Sequence, residues 1–162
     1  MVLLNSLNKE ILVLGCGNLI FADDGFGYEV INKLEQIEID NDKVELIDAG
    51  TSGSTYLMSL LDEESSVRKV IVVDIIDFNL KPGTLKKFGV EELPNIPKYN
   101  FDAHDMPLAP FLIDAQNKGI EVVIIGCQLK YVSNPDIVIG LSEEVKNSLD
   151  SAVNMVLEEI NK

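Results

Sequence analysis

Four short apolar runs constrain the fold of this chain more than any other feature. They are Ile11–Gly15, Val44–Asp48, Val70–Ile76 and Glu121–Gly126. Each is rich in β-branched residues, too short for a buried helix, and carries a glycine or aspartate at or near its end, so each reads as a strand. The runs are mostly continuous rather than alternating, which marks strands covered on both faces, as in a parallel sheet. Helical spacing fills the gaps between them. Phe26, Val30, Ile31 and Leu34 share one face after Asp23-Asp24, either of which can cap a helix. Thr55–Leu61 reads as a short helix. A further helix beginning near Pro107 would turn Leu108, Phe111, Leu112 and Ala115 inward. Ser142 is expected to cap a last helix, with Glu143 and Glu144 in its first turn and Val145, Leu149, Ala152, Val153, Val156 and Ile160 on its apolar face. Thr84–Phe88, after the Lys81-Pro82-Gly83 turn, is a weaker and partly exposed strand. Residues 91–103 and 131–140 read as loops. With no linker, repeat or low-complexity tract, residues 1–162 are expected to form a single α/β domain. Its architecture would be a three-layer α/β/α sandwich with a mostly parallel, twisted sheet.

Sheets of this kind build their sites outside the carboxyl ends of the strands. Asp23-Asp24 follows the first strand, and Asp74 lies towards the end of the third. His104, the only histidine, sits between an acidic loop and a helix start. Two carboxylates and one imidazole suit Ni, Zn, Mn or Fe and leave positions open for water or substrate. Plainer roles compete: an N-cap for Asp23 or Asp24, a backbone amide partner for Asp74, and a surface or capping role for His104. Gly15-Cys16-Gly17 is only a partial dinucleotide fingerprint, because Ile20 stands where the third glycine belongs. Two aspartates at the following helix would also repel a pyrophosphate, so the glycines read as a tight strand exit. Cys16 and Cys127, each at a strand end, are candidate nucleophiles with His104 as base, although free cysteines are usually small buried hydrophobes. No serine lies in a G-x-S-x-G context.

Charge narrows the partners. Asp and Glu number 27 against 13 Lys and Arg, a net charge of −14. That balance disfavours nucleic acid and anionic membranes and is more compatible with a basic or metal-loaded protein. Two widely spaced cysteines make neither a disulfide framework nor a thiolate zinc site. No segment approaches a membrane span, and the first ten residues do not resemble a signal peptide, so a cytoplasmic location is expected.

The ordered motifs are more specific than any one of them. Gly15-Cys16-Gly17-Asn18 is followed by Asp23-Asp24-Gly25-Phe26-Gly27, then Asp48-Ala49-Gly50-Thr51-Ser52-Gly53, then Val72-Val73-Asp74-Ile75 with Pro82-Gly83-Thr84, then Asp102-Ala103-His104-Asp105. In that order and spacing the chain resembles the [NiFe]-hydrogenase maturation endopeptidases over essentially its whole length. The resemblance implies Asp24, Asp74 and His104 as metal contacts, and it leaves Asp23 a capping or supporting role. Ala49 replaces a glycine frequent in the family. Ala103–Pro107 is similar to the branch serving coenzyme F420-reducing hydrogenases, which implies a methanogen-type context. Such enzymes remove a C-terminal extension from the hydrogenase large-subunit precursor after nickel has been inserted. The resemblance therefore implies a precursor partner and nickel brought in by that precursor, with other divalent metals able to occupy the same site. Either liganding carboxylate can serve as general base if it is not fully engaged, and Asp48 is the best additional catalytic carboxylate. A chaperone that checks nickel without cutting remains the non-enzymatic alternative.

Overall fold

The computed structural model describes residues 8–62, 65–95 and 108–162. Five strands form one sheet: β1 Ile11–Cys16, β2 Val44–Gly50, β3 Lys69–Ile76, β4 Leu85–Phe88 and β5 Glu121–Gln128. Their order is β2-β1-β3-β5-β4. All pairings are parallel except β4 against β5. β1 and β3 lie inside the sheet and are buried at every position, which is why their sequences do not alternate.

Five helices cover the two faces: α1 Phe26–Leu34, α2 Gly53–Asp62, α3 Ala109–Asn117, α4 Glu143–Lys146 and α5 Leu149–Ile160. Successive strand residues point to opposite faces. Leu12, Leu14, Val70 and Val72 meet Leu57 of α2 and Leu112 and Ala115 of α3. Ile11, Val13, Ile71 and Val73 meet Phe26 and Val30 of α1 and Val153 and Val156 of α5. The layers are therefore helix, sheet, helix, as the sequence pattern implies.

Three local departures have physical causes. Asp23 and Asp24 lie in a 3-10 turn, Ala22–Gly25, and no side-chain bond caps α1. The last amphipathic stretch breaks into α4 and α5. Its Ser148 hydroxyl donates to the Val145 carbonyl at 2.6 Å and lies 3.2 Å from the Cys127 sulfur, diverting a hydroxyl to local bonding where the helix would otherwise run on. Of residues 91–103, expected as loop, the first five fall within a 3-10 turn, Val90–Asn95.

The start of α1 is pressed against the sheet. A Cβ on Gly27 would fall 2.4 Å from the Cys16 carbonyl oxygen, 2.6 Å from the Cys16 nitrogen and 2.8 Å from the Val73 oxygen. All three are backbone atoms of strands that cannot retreat. Gly27→Ala is expected to cost about 1–3 kcal/mol, the usual range for overpacking. A drop in the urea midpoint at constant slope checks this; an unchanged midpoint would show that the helix can lift off.

Candidate active site

The carboxyl ends of β1, β2 and β3 are adjacent, because Gly15 is in register with both Asp48 and Val73. Asp74 follows Val73 and is buried, and its Oδ1 accepts the Ile75 N–H at 2.8 Å. Asp48 ends its strand's regular pairing with β1, just before the register shift at Cys16, and is exposed. Asp24 is brought back over β1 by a tight exit. Gly17 has φ +118, and a Cβ there would come within 2.2 Å of the Asp24 carbonyl oxygen, so only glycine fits. The next amide, Asn18 N–H, donates to Asp24 Oδ2 at 3.0 Å, and Asn18 Oδ1 accepts Ile20 N–H at 3.2 Å. Gly15 and Gly17 thus serve the tight strand exit.

One side chain registers this convergence. The Cys16 thiol is pushed well above its usual range, first by burial and then by the charges of Asp74, Asp24 and Asp48. Three carboxylates from three strand ends therefore act on a single buried sulfur. The same surroundings argue against Cys16 as a nucleophile, which needs a lowered pKa. Burial likewise raises the Cys127 thiol, to about 11 despite its contact with Ser148. Among the described residues, nothing gives either cysteine the electropositive setting that a thiolate requires.

Asp23 is entirely buried and works at long range. Its Oδ1 accepts Ser142 N–H at 2.7 Å. Its Oδ2 accepts Lys130 N–H at 2.8 Å, Tyr131 N–H at 3.1 Å and the Ser142 hydroxyl at 3.0 Å. Ser142 thus spends its hydroxyl on Asp23 and not on capping α4. A second tie runs beside it. Ala22 N–H donates to the Val138 oxygen at 2.7 Å, and Val138 N–H donates to the Ile20 oxygen at 2.9 Å. The loop after β5 is thereby fastened to the turn that carries Asp24. The pair Asp23-Asp24 was the available sequence signal, but the partners lie 107 to 119 residues away.

The structure thus gathers Asp24, Asp48 and Asp74 at one edge of the sheet. His104 lies outside the described residues. Among the described residues, no three His, Cys, Asp or Glu side chains form a metal-holding group. No helix among them is long and apolar enough to cross a membrane.

Comparison with known proteins gives the arrangement its context. Residues 28–159 match the family model described as hydrogenase maturation protease. A Methanocaldococcus jannaschii protein named as a candidate hydrogenase maturation protease is 61% identical over 154 residues, covering 95% of this chain and 98% of its own length. Coenzyme F420 hydrogenase subunit delta of Methanothermobacter thermautotrophicus is 46% identical, covering 94% of this chain and 96% of its own. The hydrogenase maturating endopeptidase HybD from E. coli superposes with a TM-score of 0.70 at 26% identity, covering 94% of this chain and 93% of HybD. With these relatives and this fold, the chain belongs to the hydrogenase maturation protease family and is a peptide-bond hydrolase.

Proposed function

We propose that this protease removes the C-terminal extension of a [NiFe]-hydrogenase large-subunit precursor after nickel insertion, and that Asp24, Asp74 and His104 contact the nickel carried by that precursor. The substrate is the precursor of a coenzyme F420-reducing hydrogenase, a reading supported by the 46% identity to the Methanothermobacter protein. The observation that carries the proposal is the register that sets Asp48 and Asp74 at neighbouring strand ends, with Asp24 folded back beside them at the exit of β1. Carboxylates gathered at neighbouring strand ends concentrate negative charge, and a divalent cation delivered to their cleft is drawn to it. In a chain of net charge −14 no general excess of lysine or arginine offsets it. A site of two carboxylates and one imidazole is an incomplete ligand shell, suited to meeting a metal that already has ligands of its own.

Within that contact each residue has a defined task. Asp74 and Asp24 orient the cleft towards the cation, which fixes the scissile peptide relative to the enzyme. Asp48, exposed at the end of β2, takes a proton from the attacking water. The work takes place in the cytoplasm, where both buried thiols stay reduced.

Purified enzyme incubated with nickel-loaded and nickel-free precursor tests this reading. Cleavage followed by mass spectrometry should be at least about tenfold faster for the loaded form, because a metal contact contributes several kcal/mol to binding and positioning. Equal cleavage of both forms would remove nickel recognition from the proposal. Binding without any mass change would favour the nickel-checking chaperone.

A further inference from the structure

The loop after β5 carries an open strand edge beside the catalytic turn. Val138 forms a parallel bridge with Phe21 and uses both its N–H and its C=O in doing so. In an extended chain the neighbouring residues aim their backbone groups the other way. Among the described residues, the N–H and C=O groups of Ile137 and Ile139 have no hydrogen-bonding partner. The two residues are 69% and 71% exposed, the highest values among the described large apolar residues. Proteins ordinarily protect such an edge, since unpaired backbone beside apolar side chains is a template for another strand. A cavity of about 610 Å³ adjoins this edge: Ile139 and Gly140 line it together with Leu19 and residues of α1, α4 and α5.

Building on the precursor-processing reading, we propose that Ile137–Ile139 receives an extended segment of the precursor as an added strand. Pairing supplies backbone hydrogen bonds, and alternate side chains of the segment contact Ile137, Ile139 and the adjoining cavity. Two observations choose this occupant. The edge is bonded directly to the turn bearing Asp24, so a strand laid on its outer side lies one strand away from that turn, in the extended form that peptide hydrolysis requires. A second copy of the chain, in contrast, would bring a charge of −14 against an equal one.

Hydrogen exchange at the Ile137 and Ile139 amides of the full-length enzyme tests the pairing, with the nickel-loaded large-subunit precursor of the F420-reducing hydrogenase as probe. Saturating precursor should slow both amides at least about tenfold, as a new hydrogen bond does. The doubly substituted variant Ile137→Glu, Ile139→Glu should raise KM for that precursor by about tenfold or more, the effect of losing an apolar contact patch. Both positions are exposed, and an unchanged thermal midpoint will show that the variant folds. Ile37→Glu, another exposed apolar site just beyond α1, should process as wild type does. Unchanged exchange under precursor that the wild type cleaves, or an unchanged KM in the variant, overturns strand addition and leaves the processing reading intact. Protection that grows with enzyme concentration alone would assign the edge to self-association and also overturn it. Failure of the wild type to cleave loaded precursor would defeat both, and shows before any variant is made.

Discussion

Asp74→Asn should slow precursor processing by about 10²-fold or more, the scale of removing a positioned acid–base or charged group. It should do so with little change in stability. Asparagine has the same shape, and its amide oxygen can still accept the Ile75 N–H that Asp74 now holds at 2.8 Å. What disappears is one negative charge at a position only 1% exposed. Charges are seldom buried this deeply unless they are paired or used. Removing a charge held only for structure would leave cleavage unaffected and lower stability; removing a working one takes the activity with it. Two measurements on the same protein separate these outcomes: the rate of loss of the C-terminal fragment and the calorimetric midpoint. His104→Ala should match Asp74→Asn in activity if the two contact the same cation. Full processing by either variant would refute that residue's assignment.

Glu159→Gln should cost about 3–5 kcal/mol of stability, the usual effect of removing one partner from a buried ion pair. Lys69, the first residue of β3, is almost wholly buried. Its ammonium donates to Glu159 Oε1 at 2.9 Å and to the Glu159 carbonyl oxygen at 2.8 Å. Lys87 and Lys162 meet Oε2 at 2.9 and 2.7 Å. An acidic residue in the last turn of a helix opposes the helix dipole, so α5 carries Glu159 for the sake of these lysines. In the variant, Lys69 keeps the carbonyl and a longer contact of 3.8 Å to exposed Glu121 but loses its buried counter-charge. Total stabilities are about 5–15 kcal/mol, so the urea midpoint should move clearly. A loss below about 1 kcal/mol would mean that water reaches the pair.

The same group sets a pH dependence. Burial raises the Glu159 carboxyl, but bonds from Lys162, Lys87 and Lys69 outweigh burial and hold it at about 2. A carboxylate with a depressed folded-state pKa stabilises fully above its unfolded value and loses that contribution as protons return. The gap in stability between wild type and Glu159→Gln should therefore be full above about pH 4.5 and narrow steadily towards pH 2. A constant gap over that window would contradict the linkage.

The framework of the fold was legible because its signals are local. Continuous apolar runs marked β1, β3 and β5, and the apolar face of α4 and α5 matched the spacing from Val145 to Ile160. Asp24 and Asp74 were legible as strand-end carboxylates for the same reason. Lys69 was not, because nothing beside it announces a carboxylate 90 residues later. Asp23 was legible in its supporting role but not in its partners. Beside a helix start an aspartate reads as a cap, whereas here it accepts three backbone amides and a hydroxyl from a loop that sequence proximity does not connect to it.

The way that loop is attached has a consequence for how such proteases diverge. Every tie from the 130–142 segment to the Asp24 turn runs through main-chain atoms of the loop, except for the Ser142 hydroxyl. Main-chain groups are the same whatever side chain they carry. Tyr131 and Val138 can therefore take any side chain but proline's without losing these bonds, which depend on Asp23 alone among side chains of the turn. A lineage can rewrite what the edge presents to a new client while the chemistry beside it stays in place.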